Sequence, residues 1–181
     1  MASRLYDPEE APNEAFRRFI LEGTVAHEIA HQWFYGIVGT DQRMEPWIDE
    51  SLAQYAFWLY LQEIHGDGRD AYREFGEYWN RIARAEIPIG RPVAAYTRNQ
   101  YGAIIYGRAP LFLLSLAKLM GEDSFDHLLS VLVERYRWGL VDGERFRALA
   151  EQLCQCEQGE LDALWARWVR PQETELPPPR D

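Results

Sequence analysis

Along nearly the whole chain of 181 residues, apolar positions recur at helical rather than alternating spacing, which predicts an all-α domain of helices joined by polar turns. Phe16, Phe19, Ile20, Val25, Ile29 and Trp33 are spaced to bury one broad stripe of a first helix. It begins near Asn13, a suitable cap, carries a candidate kink at Gly23 and stops at Gly36. From Ile37 to Pro46 the signals are irregular and the chain reverses direction. A second helix runs from Trp47 to Ile64, with Leu52, Tyr55, Ala56, Leu59 and Tyr60 on its buried face.

A third helix is expected over 69–85, amphipathic, with Arg73, Glu77, Arg81 and Arg84 outward. The connection 86–100, with Pro88, Gly90 and Pro92, is long enough for a compact domain to suggest a binding loop. Pro110 then sits in the first turn of a buried helix ending at Met120, because proline is tolerated there and not in a helix interior. Asp123 or Ser124 caps the next helix, which Gly139 closes; another runs from Asp142 to about Cys156, and Leu161, Leu164, Trp165 and Trp168 mark a last short one. Residues 1–12 read as an extended lead-in, 13–170 as one helical domain, and 171–181 as a polar, proline-rich, mobile tail.

Composition narrows this picture little. The 47% of apolar residues supports a continuous core, and the net charge of −10 disfavours nucleic acid and anionic membrane as partners. No uninterrupted apolar run reaches the roughly 18 residues of a membrane span. Cys154 and Cys156, two apart on an expected helix, point to different faces, which argues against a local disulfide or a shared metal.

The candidate chemistry lies in His27-Glu28-Ile29-Ala30-His31. Positions four apart on a helix differ by roughly 40° around the axis, so both imidazoles can grip one ion. After eighteen intervening residues, Glu50 in the first turn of the second helix can supply a third ligand if the two helices run antiparallel. Two neutral imidazoles and one carboxylate suit a single Zn²⁺ with one position open for water, and Glu28, offset by about 100° from His27, can take that water's proton. Gln54, one turn after Glu50, is a candidate acceptor for a ligand histidine's second N–H. A phenol would serve as oxyanion donor, and by position alone Tyr96, Tyr101 and Tyr106 are equal candidates.

The segments His27 to Phe34 (HEIAHQWF), Trp47-Ile48-Asp49-Glu50-Ser51 and Tyr101 to Gly107 together resemble the M1 family of zinc aminopeptidases, within the thermolysin-like gluzincins. The resemblance implies His27, His31 and Glu50 as zinc ligands, Glu28 as general base and Tyr106 as the tyrosine that stabilises the transition state, with Tyr101 its neighbour. Asp49 and Ser51 stand where the family has Asn and Gly, and Phe57 where it has an acidic residue. The family's Gly-x-Met-Glu-Asn segment, which holds a substrate's free amine, is absent. The implied fold is therefore the helical part of the catalytic domain, a fragment whose missing upstream, β-rich part would dock on exposed apolar surface. The implied function is a zinc metallopeptidase acting on the N-terminal bonds of a peptide substrate. The alternative is a zinc-binding scaffold or interaction domain that lacks turnover because the amine-anchoring part is gone.

Overall fold

Burial of apolar side chains brings seven helices together around one core in a computed structural model that describes residues 14–169. Among the described residues they are α1 (Glu14–Ala30), α2 (Trp47–His65), α3 (Arg69–Asn80), α4 (Arg98–Met120), α5 (Glu122–Tyr136), α6 (Gly143–Leu153) and α7 (Glu160–Trp168). The stripe expected on the first helix is buried only in part, because Val25, Ile29 and Trp33 line an open groove and are exposed. Two short strands, β1 (Val38–Gly39) and β2 (Gly139–Leu140), pair in parallel and tie the turn after α1 to the turn after α5. The all-α expectation holds apart from this pair, which is too short for an alternating pattern. The lead-in, the Asn13 cap, the packing of Phe16 and the tail lie outside the described residues.

Trp47 anchors the arrangement from the first residue of α2. It is fully buried, with T-shaped contacts to Phe112, Phe146 and Trp165 at centroid distances of 5.8, 5.8 and 5.9 Å. The start of α2 is thereby fixed against α4, α6 and α7, and Glu50 follows within one turn. Along α1 and α2 the contacts run in antiparallel order: His65 and Tyr60 meet Glu22, Phe57 abuts Gly23, Gln54 meets His27, and Glu50 meets His31.

Several local expectations are corrected. Helix α1 shows no break at Gly23. A Cβ there would lie 2.7 Å from the Phe57 ring, so this glycine serves close helix packing rather than a kink. The regular helix ends at Ala30, ahead of Gly36, because 31–37 folds back on itself: Gly36 N–H donates to His31 O, and Tyr35, at φ 116°, donates to Val38 O. Helix α3 stops at Asn80, where Ala83 and Arg84 take positive φ.

The connection ahead of α4 is a pinned strap, not an open loop. Ile89 N–H donates to Trp168 O at 2.9 Å, and the buried Tyr96 hydroxyl bridges Pro88 O and Ile89 O at 2.7 and 2.9 Å. Helix α5 has Gly121 at its N-cap in place of Asp123 or Ser124, and it ends at Tyr136, ahead of Gly139. Helix α6 ends at Leu153, so Cys154 and Cys156 follow in extended backbone and are joined as a disulfide, contrary to the helical placement that would separate them.

The largest difference concerns α4. Instead of starting near Pro110 it begins at Arg98, where Thr97 and Gln100 form a reciprocal cap, and it passes through a π turn at Ile104–Arg108 before resuming as an α-helix. Pro110 begins only the second α-helical part, in whose first turn its missing N–H is tolerated. The continuous helix is long and apolar enough to cross a membrane, a run hidden in the sequence when the segment is split at Pro110. Because 72% of its most apolar stretch is buried inside the protein, it reads as the core helix.

Gly107 within the π turn lies against α3, and a Cβ there would sit 2.6 Å from Trp79 N and 2.7 Å from Phe75 O. These are backbone atoms and cannot swing aside. Gly107→Ala is expected to destabilise the domain by about 1–3 kcal/mol in urea unfolding; an unchanged midpoint would contradict this packing. Arg108, fully buried beside it, donates to Ile87 O at 2.8 Å and to Arg167 O at 2.9 Å, with Trp168 4.9 Å from its guanidinium.

Candidate metal centre

His27 projects from the last turn of α1 and His31 from the residue that follows the helix, still bonded through its N–H to His27 O at 3.3 Å. Their Nε2 atoms are 3.1 Å apart. Glu50 Oε2 reaches them from α2, at 3.2 Å from His27 Nε2 and 3.7 Å from His31 Nε2. Tetrahedral ligands at about 2.0–2.1 Å from one ion stand about 3.3 Å apart. The three atoms therefore have the separations of a zinc ligand set. Glu50 Oε2 is moreover buried with no hydrogen-bond donor among the described residues, an oxygen placed to meet a cation. The residues fit the ion.

The outer nitrogens are held as well. His27 Nδ1 lies 3.3 Å from Gln54 Oε1, the acceptor expected from the sequence. His31 Nδ1 lies 3.0 Å from Phe34 O, a partner the sequence does not reveal because it exists only where α1 unwinds and the Phe34 carbonyl turns back. Each Nδ1 can donate its proton outward and leave the Nε2 lone pair for a metal.

In the metal-free chain the adjacent Glu50 carboxylate raises the His31 pKa to about 9, against the lowering effect of burial; the Phe34 carbonyl adds to the rise. Burial pushes Glu50 up, but the adjacent His27 and His31 rings and the hydrogen bond from Tyr106 outweigh it and hold the carboxyl at about 2.

Of the three tyrosines that position left equal, one reaches the centre. Tyr106 donates its hydroxyl to Glu50 Oε1 at 3.0 Å, its backbone carbonyl accepts from Gln54, and its ring lies 6.0 Å from that of His27. The π turn of α4, not a helix entrance, is what presents it. Tyr96 is committed to the strap, and the Tyr101 ring stands between those of Tyr96 and Tyr106 at 6.3 and 6.1 Å. Burial, then the charge of Glu50, raises the Tyr106 hydroxyl far above its ordinary value, so it keeps its proton and remains a donor.

Glu28 is exposed, makes no hydrogen bond among the described residues, and lines the same recess as His27 and Tyr106. Asp49, in the family's Asn position, is fully buried and accepts from Gln42 Nε2 at 2.7 Å; desolvation raises its pKa. Phe57, in place of an acid, fills the α1–α2 interface with its ring.

A histidine in the last turn of one helix, a second just past its end and a carboxylate from the antiparallel neighbour, with an exposed glutamate beside them, define the helical part of a metallopeptidase catalytic domain of the H-E-x-x-H kind. A sequence model of the peptidase family M1 domain matches residues 2–168, and the chain belongs to that family.

Relatives include endoplasmic reticulum aminopeptidase 1 of Rattus norvegicus, 24% identical over 140 residues that cover 74% of this chain and 15% of that protein. Aminopeptidase 2 of Candida albicans is 29% identical over 122 residues, covering 64% of this chain and 13% of that one. The fold is shared with a mutant M1 zinc metallopeptidase of Deinococcus radiodurans bound to a Tyr-Ser-Ala substrate. The TM-score is 0.65 at 23% identity, over 83% of this chain and 34% of that one. The chain thus spans about a seventh of these curated relatives and a third of that solved chain.

Proposed function

We propose that this chain is the metal-bearing part of a zinc aminopeptidase, with one Zn²⁺ held by His27, His31 and Glu50, and that it acts on the N-terminal bond of peptides. The observation that carries the reading is Glu50 Oε2, buried without a donor and 3.2 and 3.7 Å from the two histidine nitrogens. Zinc bound there supplies the charge that acidifies water and polarises a peptide carbonyl. Glu28 takes the proton from the attacking water and passes it to the nitrogen that leaves as the C–N bond breaks. The Tyr106 hydroxyl donates to the oxygen on which negative charge develops. Gln54 and Phe34 O keep the ligand rings in the tautomer the centre requires.

The open groove between α1 and α2 supports a further partner. Val25, Ile29 and Trp33 are exposed along an apolar groove shared with Ala56 and Tyr60 of α2, the kind of surface a missing β-rich upstream part would cover. The test of the peptidase reading compares zinc-loaded chain on unblocked and N-acetylated chromogenic peptides. Faster cleavage of the unblocked peptides is expected; preference for acetylated ones would make it an endopeptidase.

A further inference from the structure

Next to the metal centre a recess of about 230 Å³ opens between α1, α2, α3 and the π turn of α4. It shares His27, Glu28 and Tyr106 with the centre, and its outer wall is built by Glu74 and Tyr78 of α3. These two stand one helical turn apart and so face the same way. The contact of Gly107 with the α3 backbone presses that face toward Tyr106, and the Tyr78 and Tyr106 rings lie 6.3 Å apart.

The charges here are unevenly matched. Arg81 sits over the Tyr78 ring at 4.0 Å and makes no ion pair with Glu74. Glu74 is half-buried and has no hydrogen bond or ion pair among the described residues. Burial pushes its carboxyl above the ordinary value, and the charges of Arg81 and His27 only partly offset this. A half-desolvated carboxylate without a partner gains most from a cation brought by a ligand. The aromatic walls suit a methylene stem that carries the charge inward.

We infer that this recess is the subsite for a substrate side chain ending in a guanidinium or ammonium, with Glu74 as the carboxylate that selects it. The inference rests on the peptidase reading and names part of its substrate class. The same two carboxylates, Glu74 and Glu28, repel an acidic side chain from the recess.

The test titrates zinc-loaded chain with L-arginine hydroxamate and L-norleucine hydroxamate, followed by calorimetry, so that no turnover is needed. Arginine hydroxamate is expected to bind about tenfold more tightly, the scale of one charge-assisted hydrogen bond in a partly buried site. In Glu74→Gln the ratio falls to about one, with zinc still at one per chain as the sign that the variant is folded. Equal affinities in the unaltered chain, or a tenfold preference that survives Glu74→Gln, would overturn the subsite alone. Failure of both hydroxamates to bind would overturn the peptidase reading, and the subsite with it.

Discussion

Glu28→Gln is expected to lower peptide turnover by about 10²- to 10⁴-fold, the range that a positioned proton acceptor contributes. Glutamine keeps the length and hydrogen-bonding capacity of the side chain but cannot accept a proton at neutral pH. Glu28 is exposed and free of partners among the described residues, so the substitution leaves the fold and the ligand set in place. Zinc content is accordingly expected to stay at one per chain, which separates loss of chemistry from loss of the ion. The measurement is initial rate on an unblocked chromogenic peptide, unaltered chain against variant, each at saturating zinc. Equal, background-level rates for the two proteins would contradict catalysis by this chain and favour the zinc-binding scaffold.

The second large effect is on the ion. His31→Ala removes one of the three proposed ligand atoms and also the ring that Phe34 O holds, leaving Glu50 Oε2 with one histidine nitrogen. Zinc affinity is expected to fall by more than 100-fold, since the loss of outer partners alone costs about 10- to 100-fold at such centres. Gln54→Ala, which strips His27 of its acceptor, belongs in that lower range.

Uptake is also linked to pH. In the metal-free chain His31 carries its proton up to about pH 9, and the ion must displace it. Affinity is expected to rise with pH toward 9 and then to level off. Retention of one tightly bound zinc in His31→Ala, read by metal analysis after dialysis against chelator, would overturn the ligand assignment.

The parts of this centre that sequence spacing reveals are those set by one helix or by one reversal. His27 and His31 share a face because of the helical repeat, and the run of apolar positions from Trp47 places Glu50 in a first turn. Gln54 follows at the next turn, and the antiparallel helix pair brings it to His27. What spacing could not show depends on contacts between distant segments. Arg108 reads as a surface residue, yet its acceptors are carbonyls 21 and 59 positions away. The π turn is hidden because Gly102, Gly107 and Pro110 resemble punctuation, while burial of Ile104, Ile105, Gly107 and Arg108 keeps the helix continuous.

Tyr106 therefore stands out in the sequence by resemblance and not by its place on a helix. Glu74 is hidden in the sequence because the nearby Arg73 and Glu77 mark α3 as charged and solvent-facing; an acid one turn before Tyr78 is the available signal. The disulfide is hidden because the local pattern extends the helix to Cys156, and the end of α6 at Leu153 depends on packing which that pattern does not contain.

The most direct test of the central claim is diffraction from zinc-soaked crystals collected on both sides of the zinc absorption edge. One anomalous peak per chain is expected, within about 2.0–2.2 Å of His27 Nε2, His31 Nε2 and Glu50 Oε2. A peak elsewhere, or none at these three atoms, would contradict the account.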